Sequence, residues 1–445
     1  MLTRPVMTRI LPGWGSWRSS GPGVFSFRLL QSDDPVLAAN HRLNVLNGMA
    51  AMVAINLSVP FYAIYAERLG ATNFQIALLT SLPAVMMALL ALPSAGWVER
   101  VADKRRLIVP LLLLARLLVV ALLAAPYLPG AIPPLFVVLI VALAAVPGTV
   151  VTVAWQSLMG DLFPAAARAE AFAIRARWMG WTGLAAVLGA GVAIDSLPYP
   201  FGYQLIFLLS GFFGIIETYY LSQFRIALEP GAAKPRAVAP SLRGAAVSEW
   251  RRLQARPHYL RYVGVVFFFH FAWMALWPVF TVYKLETLHA NNTWMSLYSV
   301  TSTLGSILTY RHWSRQCSLK GNGWVVGWNA FGLTLIPVVW VLFAKSLPVS
   351  AILDGFGGIV VGGFNLALFN QWLDIADPKR RPTDMAYLNT VVQLAAVISP
   401  LVGMAVYERF GFVVAMLAFA AVRVAASYLL LRVGLENDRG AGRGQ

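Results

Sequence analysis

The chain alternates between long apolar runs and short polar breaks, and the runs are close to one length. About 20 apolar residues cross the hydrocarbon core of a bilayer as a helix. Twelve runs have that length: 43–66, 74–95, 107–126, 133–158, 171–194 and 203–224, then 259–283, 293–311, 323–344, 349–373, 384–406 and 411–433. The breaks carry loop chemistry, as in GWVERVADKRR, LPGAIPP, DSLPYPFG, AKSLP and DPKRRP. Only one interior break is long. Its first part holds Pro230, Gly231, Pro235 and Pro240, which oppose a helix, whereas Ser241 to Arg256 could form a basic helix on a membrane surface. The pattern predicts an all-α, polytopic membrane protein. Its parts are a disordered basic tail over 1–40, a six-helix bundle over 41–225, a basic linker over 226–257, a second six-helix bundle over 258–433, and a tail over 434–445.

Composition sharpens that division. The sequence is 58% hydrophobic and only 12% charged, about half the charge of a soluble domain. A net charge of +16 would elsewhere suggest nucleic acid, but here the basic residues sit in the breaks. With both termini in the cytoplasm, the opposite loops hold only Arg68, Lys284, Lys345 and Arg409. That bias follows the positive-inside rule and argues against a nucleic-acid partner. It predicts a multi-pass protein of the cell (plasma or inner) membrane, with the lipid bilayer as its surroundings. The Arg- and Ser-rich start, without an acid before Asp33, is also compatible with an organelle transit peptide. The single cysteine, Cys317, excludes an intramolecular disulfide and a cysteine metal cluster. No P-loop, H-E-x-x-H or G-x-S-x-G occurs. We therefore expect no enzyme, no cofactor and no metal.

The two apolar halves echo each other. Residues 59–79 and 277–298 match at Pro60 and Pro278, and at Tyr65 and Tyr283. After one inserted residue, Leu69, Ala71 and Asn73 match Leu288, Ala290 and Asn292. Parallel six-helix repeats are a common build of secondary transporters. Over roughly residues 40–433 the chain resembles the major facilitator superfamily, whose mark is a G-x-x-x-D-x-x-G-[RK]-[RK] loop between helices two and three. Here Gly96, Lys104 and Arg105 fit that pattern. Arg100 takes the acid position with Glu99 one residue early, and Asp103 replaces the second glycine. The resemblance implies a cytoplasmic gate loop at Gly96, Glu99, Arg100, Asp103, Lys104 and Arg105. It implies a monomeric secondary active transporter that moves a small organic solute by alternating access, with protons as a candidate coupling ion. The alternative is a non-transporting sensor or assembly factor on the same scaffold.

Polar residues inside the runs are the candidate chemistry, because an ionised group at mid-bilayer costs ~2.5–3.5 kcal/mol on insertion scales. Arg116, Glu217, His270, Asp354 and Arg423 qualify. Arg116 and Glu217 lie about 12–14 Å from the cytoplasmic ends of their helices and are expected to pair. Arg423 has no obvious acidic partner. In the resembled fold, helices one, four, seven and ten line the cavity, which makes His270 and Asp354 its titratable groups and the candidates for coupling. Asn44, Asn47, Ser58 and Tyr62 form a polar stripe on helix one, read either as cavity wall or as glue between helices. Trp155 and Gln156 close helix four as a gate or an interface anchor. Trp273 and Trp277 share the face of His270, and Asn365 shares that of Asp354, with Gly358 between them in a G-x-x-x-G. These eleven polar and aromatic positions form the expected substrate cavity.

Overall fold

Caps and prolines set the helix ends. Asp34 accepts the Val36 amide and opens the first helix; Thr72 and Gln75 form a capping box for the second; Asn291 accepts the Trp294 amide and opens the eighth. In the computed structural model, residues 34–163, 165–226, 252, 254–376 and 381–442 are described. Among them the spans are span 1 (Pro35–Arg68), span 2 (Asn73–Glu99), span 3 (Arg105–Tyr127), span 4 (Ile132–Leu162), span 5 (Ala165–Ser196) and span 6 (Phe201–Ser222). The second half contains span 7 (Pro257–Thr287), span 8 (Asn292–Lys320), span 9 (Asn322–Phe343) and span 10 (Leu347–Ile375). A last helix, Arg381–Gly442, is divided at Gly411, whose φ of 80° only glycine adopts readily, into spans 11 and 12.

Among the described residues, ten helical stretches are long and apolar enough to cross a membrane by length and composition. Dividing the last at Gly411 and adding the polar span 8 gives twelve. Span 8 is rich in Ser, Thr and Tyr because spans 5 and 10 cover it. Its backbone meets span 10 directly: a Cβ on Gly358 would stand 1.9 Å from the Ser302 carbonyl, so glycine is required there. Ser306 Oγ also donates to the Gly358 carbonyl at 2.7 Å.

Spans 1–6 form one bundle, with span 1 against 5 and 6, span 3 against 4 and 6, and span 2 against 4. Spans 7–12 form the other, with 8 and 9 against 10, 9 against 12, and 7 against the last helix. The bundles meet along spans 2 and 11 and along spans 5 and 8. With an even number of spans, the start of the first helix and the end of the last lie on one side, here called the terminal end.

Several element edges differ from the sequence expectation; span 5 begins at Ala165 rather than 171, and span 8 runs on to Lys320 rather than 311. The first helix begins at Pro35, inside the expected tail, because Asp34 caps it. The last helix continues past residue 433, anchored by Asp438, whose carboxylate accepts the Gly323 and Trp324 amides at the start of span 9. Span 7 is not continuous, since its helix ends at Met274 and resumes at Trp277, ahead of Pro278. The expected basic surface helix and most of the linker lie outside the described residues.

Candidate functional site

The first bundle holds one connected polar cluster across five spans. Glu217 (span 6) accepts from Arg116 (span 3) through Nε at 2.9 Å and Nη2 at 2.7 Å. The Glu217 backbone carbonyl takes the Asn47 side-chain amide (span 1) at 2.9 Å. Arg175 (span 5) donates to Asn47 Oδ1 at 3.1 Å and to Asn44 Oδ1 at 2.6 Å, and lies 4.6 Å above the Trp155 ring (span 4). Arg175 lies near the start of the apolar run 171–194, where a cation can be counted with the preceding loop. The structure instead puts it well inside that helix and 7% exposed. Its signal in the sequence is the Asn44–Asn47 pair, which presents two amide oxygens to one donor.

The second bundle holds its charges around a cavity of about 340 Å³. Lys284 (span 7) donates to Asp354 Oδ2 (span 10) at 2.5 Å, with the side chains 12% and 21% exposed. Lys284 therefore stands not in an open loop, as the charge count places it, but under the Tyr298 ring, 4.2 Å away. Arg423 (span 12) is 1% exposed and reaches three carbonyls: Ala272 at 3.1 Å, Trp273 at 3.0 Å and Leu333 at 3.0 Å. Trp273, Trp277 and Phe280 supply the aromatic wall, with Trp273 and Trp277 edge to face at 5.7 Å.

The predicted residues thus divide. Asn44, Asn47 and Trp155 come together around Arg175, and Trp273, Trp277 and Asp354 around the second-bundle cavity. His270 is buried outside that lining; its Nδ1–H donates to the Val266 carbonyl one turn back, at 2.8 Å, and its ring packs on Trp273 and Phe364. Ser58 turns onto its own helix at the Ala54 carbonyl, and Tyr62 packs on Phe207. Gln156 and Asn365 are exposed.

Polar contacts between the bundles cluster at the end away from the termini. Asp195, closing span 5, accepts the Asn292 amide at 3.3 Å, the Asn292 side chain at 2.8 Å, and the Thr293 amide and hydroxyl at 2.7 and 2.6 Å. The Tyr203 hydroxyl donates to Asn292 Oδ1 at 2.8 Å. A carboxylate from one bundle therefore caps the first helix amides of a span in the other. At the terminal end, Asp103 binds the Arg105 guanidinium at 3.0 Å, and Arg105 also donates to the Phe224 carbonyl at the end of span 6. These hydrogen bonds hold the Asp103 carboxyl below its ordinary range. Gly96 and Arg100 face outward there.

The sequence profile of the Major Facilitator Superfamily matches residues 45–352 and again 265–443. The chain belongs to that superfamily. Its fold is that of a multi-pass membrane transporter. Among solved structures it is similar to a bacterial homologue of the human lysosomal transporter Spinster in an inward-facing, occupied conformation (TM-score 0.65, 16% identity, 92% of this chain and 99% of that one). It is similar to the human organic anion transporter MFSD10 (TM-score 0.61, 17% identity, 89% and 100%). A D-xylose–proton symporter gives a TM-score of 0.65 at 11% identity, over 89% and 96%. No curated protein matches significantly.

Proposed function

We propose that this protein is a monomeric secondary transporter of a small organic solute, working by alternating access in a cell membrane with its terminal end in the cytoplasm. The observation behind this reading is how polar contacts are distributed. Each bundle ties its own spans together through buried charges, whereas the bundles join at the far end through Asp195 and the start of span 8. Two stiff bodies whose charged and hydrogen-bonded contacts with each other gather mainly at one end are suited to rocking about a midplane site. The Asp103–Arg105 loop stiffens the terminal end of the first bundle, in keeping with a role at a gate. The similar structures include carriers named for a sugar and for organic anions, which supports a small-solute cargo. Asp354, held by Lys284, is the group we assign to proton coupling, with His270 behind the aromatic wall as a second candidate.

Purified protein in liposomes tests the proposal. A panel of small solutes, run with and without a pH gradient, should give gradient-driven flux for at least one of them. Saturable binding without flux would favour a sensor on a transporter scaffold. Flux unaffected by the pH gradient, with Asp354→Asn indistinguishable from wild type, would remove proton coupling.

A further inference from the structure

The second-bundle cavity has a charge balance that its own residues do not settle. Lys284, Arg423 and Asp354 line it, two cations to one carboxylate, and Lys284 and Asp354 pair with each other. Arg423 makes no ion pair among the described residues; the three donors placed on carbonyls give it dipoles rather than a counter-charge. In a low-dielectric interior an uncompensated guanidinium is costly, and an anion brought beside it recovers much of that cost. The remaining wall is mainly aromatic and apolar, with Trp273, Trp277, Phe280 and Leu333, and adds only the Thr281 and Ser302 side chains as polar groups. At about 340 Å³ the cavity is at the small end of the ~300–1,000 Å³ typical of ligand pockets.

We propose that this cavity, inside the second bundle rather than between the bundles, binds a small organic monoanion. Its carboxylate is taken by Lys284 and faces the Arg423 charge, and its aromatic or branched apolar body lies against Trp273 and Trp277. The ligand carboxylate competes with Asp354 for Lys284. Binding therefore frees Asp354 from its partner. This inference names the substrate class for the transport reading and rests on it only for the word substrate.

The test is ligand-induced thermal stabilisation of the full-length protein in nanodiscs, which needs no flux. The probes are one- and two-ring aryl carboxylates, each paired with the neutral amide of the same shape. Carboxylates should raise the unfolding temperature saturably, and their amides should be at least tenfold weaker. Asp354→Asn removes the competitor and should bind carboxylates as well as or better than wild type. Lys284→Gln, made together with Asp354→Asn so that no carboxylate is left unpaired, should lose at least tenfold in affinity. Gly357 also lines the cavity, and a Cβ there meets nothing within 4 Å. Gly357→Leu should therefore fill the space without disturbing the fold, and should abolish binding. Equal response to acids and amides, no saturable response to any acid at millimolar concentration, or unchanged binding by Gly357→Leu would overturn the proposal. Carboxylate binding without flux in liposomes would leave this site standing and remove the transport reading. Flux unaltered by Gly357→Leu would leave the transport reading standing and remove this cavity as its substrate site.

Discussion

Arg423 Nη1 donates at 3.0 Å to the carbonyl of Leu333, and Pro337, four residues further along span 9, is why that carbonyl lacks its helical donor. The same guanidinium serves Ala272 and Trp273, where span 7 breaks ahead of Pro278. One buried arginine thus supplies donors at two helix defects and ties span 12 to both. Lysine, a compact point charge, cannot fork between two helices. Arg423→Lys should lower the stability of detergent-solubilised protein by about 1.5–3 kcal/mol for each charged hydrogen bond lost. In a Pro337→Ala background, where the substituted residue has an amide that restores the helical bond, the loss should be smaller. Thermal unfolding of the four proteins in the double-mutant cycle measures this, and equal losses in both backgrounds would detach Arg423 from the proline.

The Arg116–Glu217 pair is nearly buried, at 14% and 9% side-chain exposure, with Arg116 bonded twice to one carboxylate oxygen. Breaking one partner of such a pair costs roughly 3–5 kcal/mol, because the other charge is left unpaired in an apolar medium. Glu217→Gln should sharply reduce the yield of folded protein. Adding Arg116→Gln should restore part of it, as seen by size-exclusion chromatography of solubilised membranes. A double variant no better than the single one would make the pairing energetically unimportant.

What could be read from the sequence follows from how strongly each residue is constrained by its own helix. The spans are legible because a bilayer demands one length of apolar helix, and only span 8 departs from it, being covered on two sides by protein. Arg116 and Glu217 could be matched by depth alone. Arg175 could not, because a cation at the edge of an apolar run looks the same as one in a cytoplasmic loop until Asn44 and Asn47 are placed opposite. Lys284 was hidden in the same way, and with it the partner of Asp354. The purpose of Arg423 depends on carbonyls freed in two other spans, which no pattern within span 12 records.

Asp103 gives a pH dependence of definite sign. Its folded pKa lies below the unfolded value of about 3.9, chiefly because Arg105 hydrogen-bonds the charged form. Its contribution to stability is complete above the unfolded value and is lost as pH falls through the folded one. Asp103→Asn should therefore lower thermal stability slightly at neutral pH and flatten the acid limb below about pH 4. The effect stays small because the loop is close to water. A stability–pH curve for both proteins checks it, and parallel acid limbs would remove Asp103 as its source.

The junction between bundles rests on Asp195, whose two oxygens accept four hydrogen bonds from Asn292 and Thr293. Behind it, Gly191 lets span 5 approach span 8 so closely that a Cβ would stand 2.1 Å from Ser296 Oγ, and Met295 packs into the apolar cluster of the first bundle. On the proposed alternating-access reading, opening the far end would break all of these at once, and Asp195 would bias the protein toward the state closed there. Asp195→Ala removes the carboxylate. Each 1.4 kcal/mol withdrawn from the closed state raises the open population about tenfold. The thiol introduced by Met295→Cys, in a Cys317→Ser background, should therefore react with a membrane-impermeant maleimide about tenfold faster or more in Asp195→Ala. Asp195→Asn, which keeps the shape but not the charge, should fall between. If Asp195 served only as the cap of span 8, its loss would lower the unfolding temperature and leave the labelling rate unchanged. That outcome would separate the cap from the gate, and faster labelling would join them.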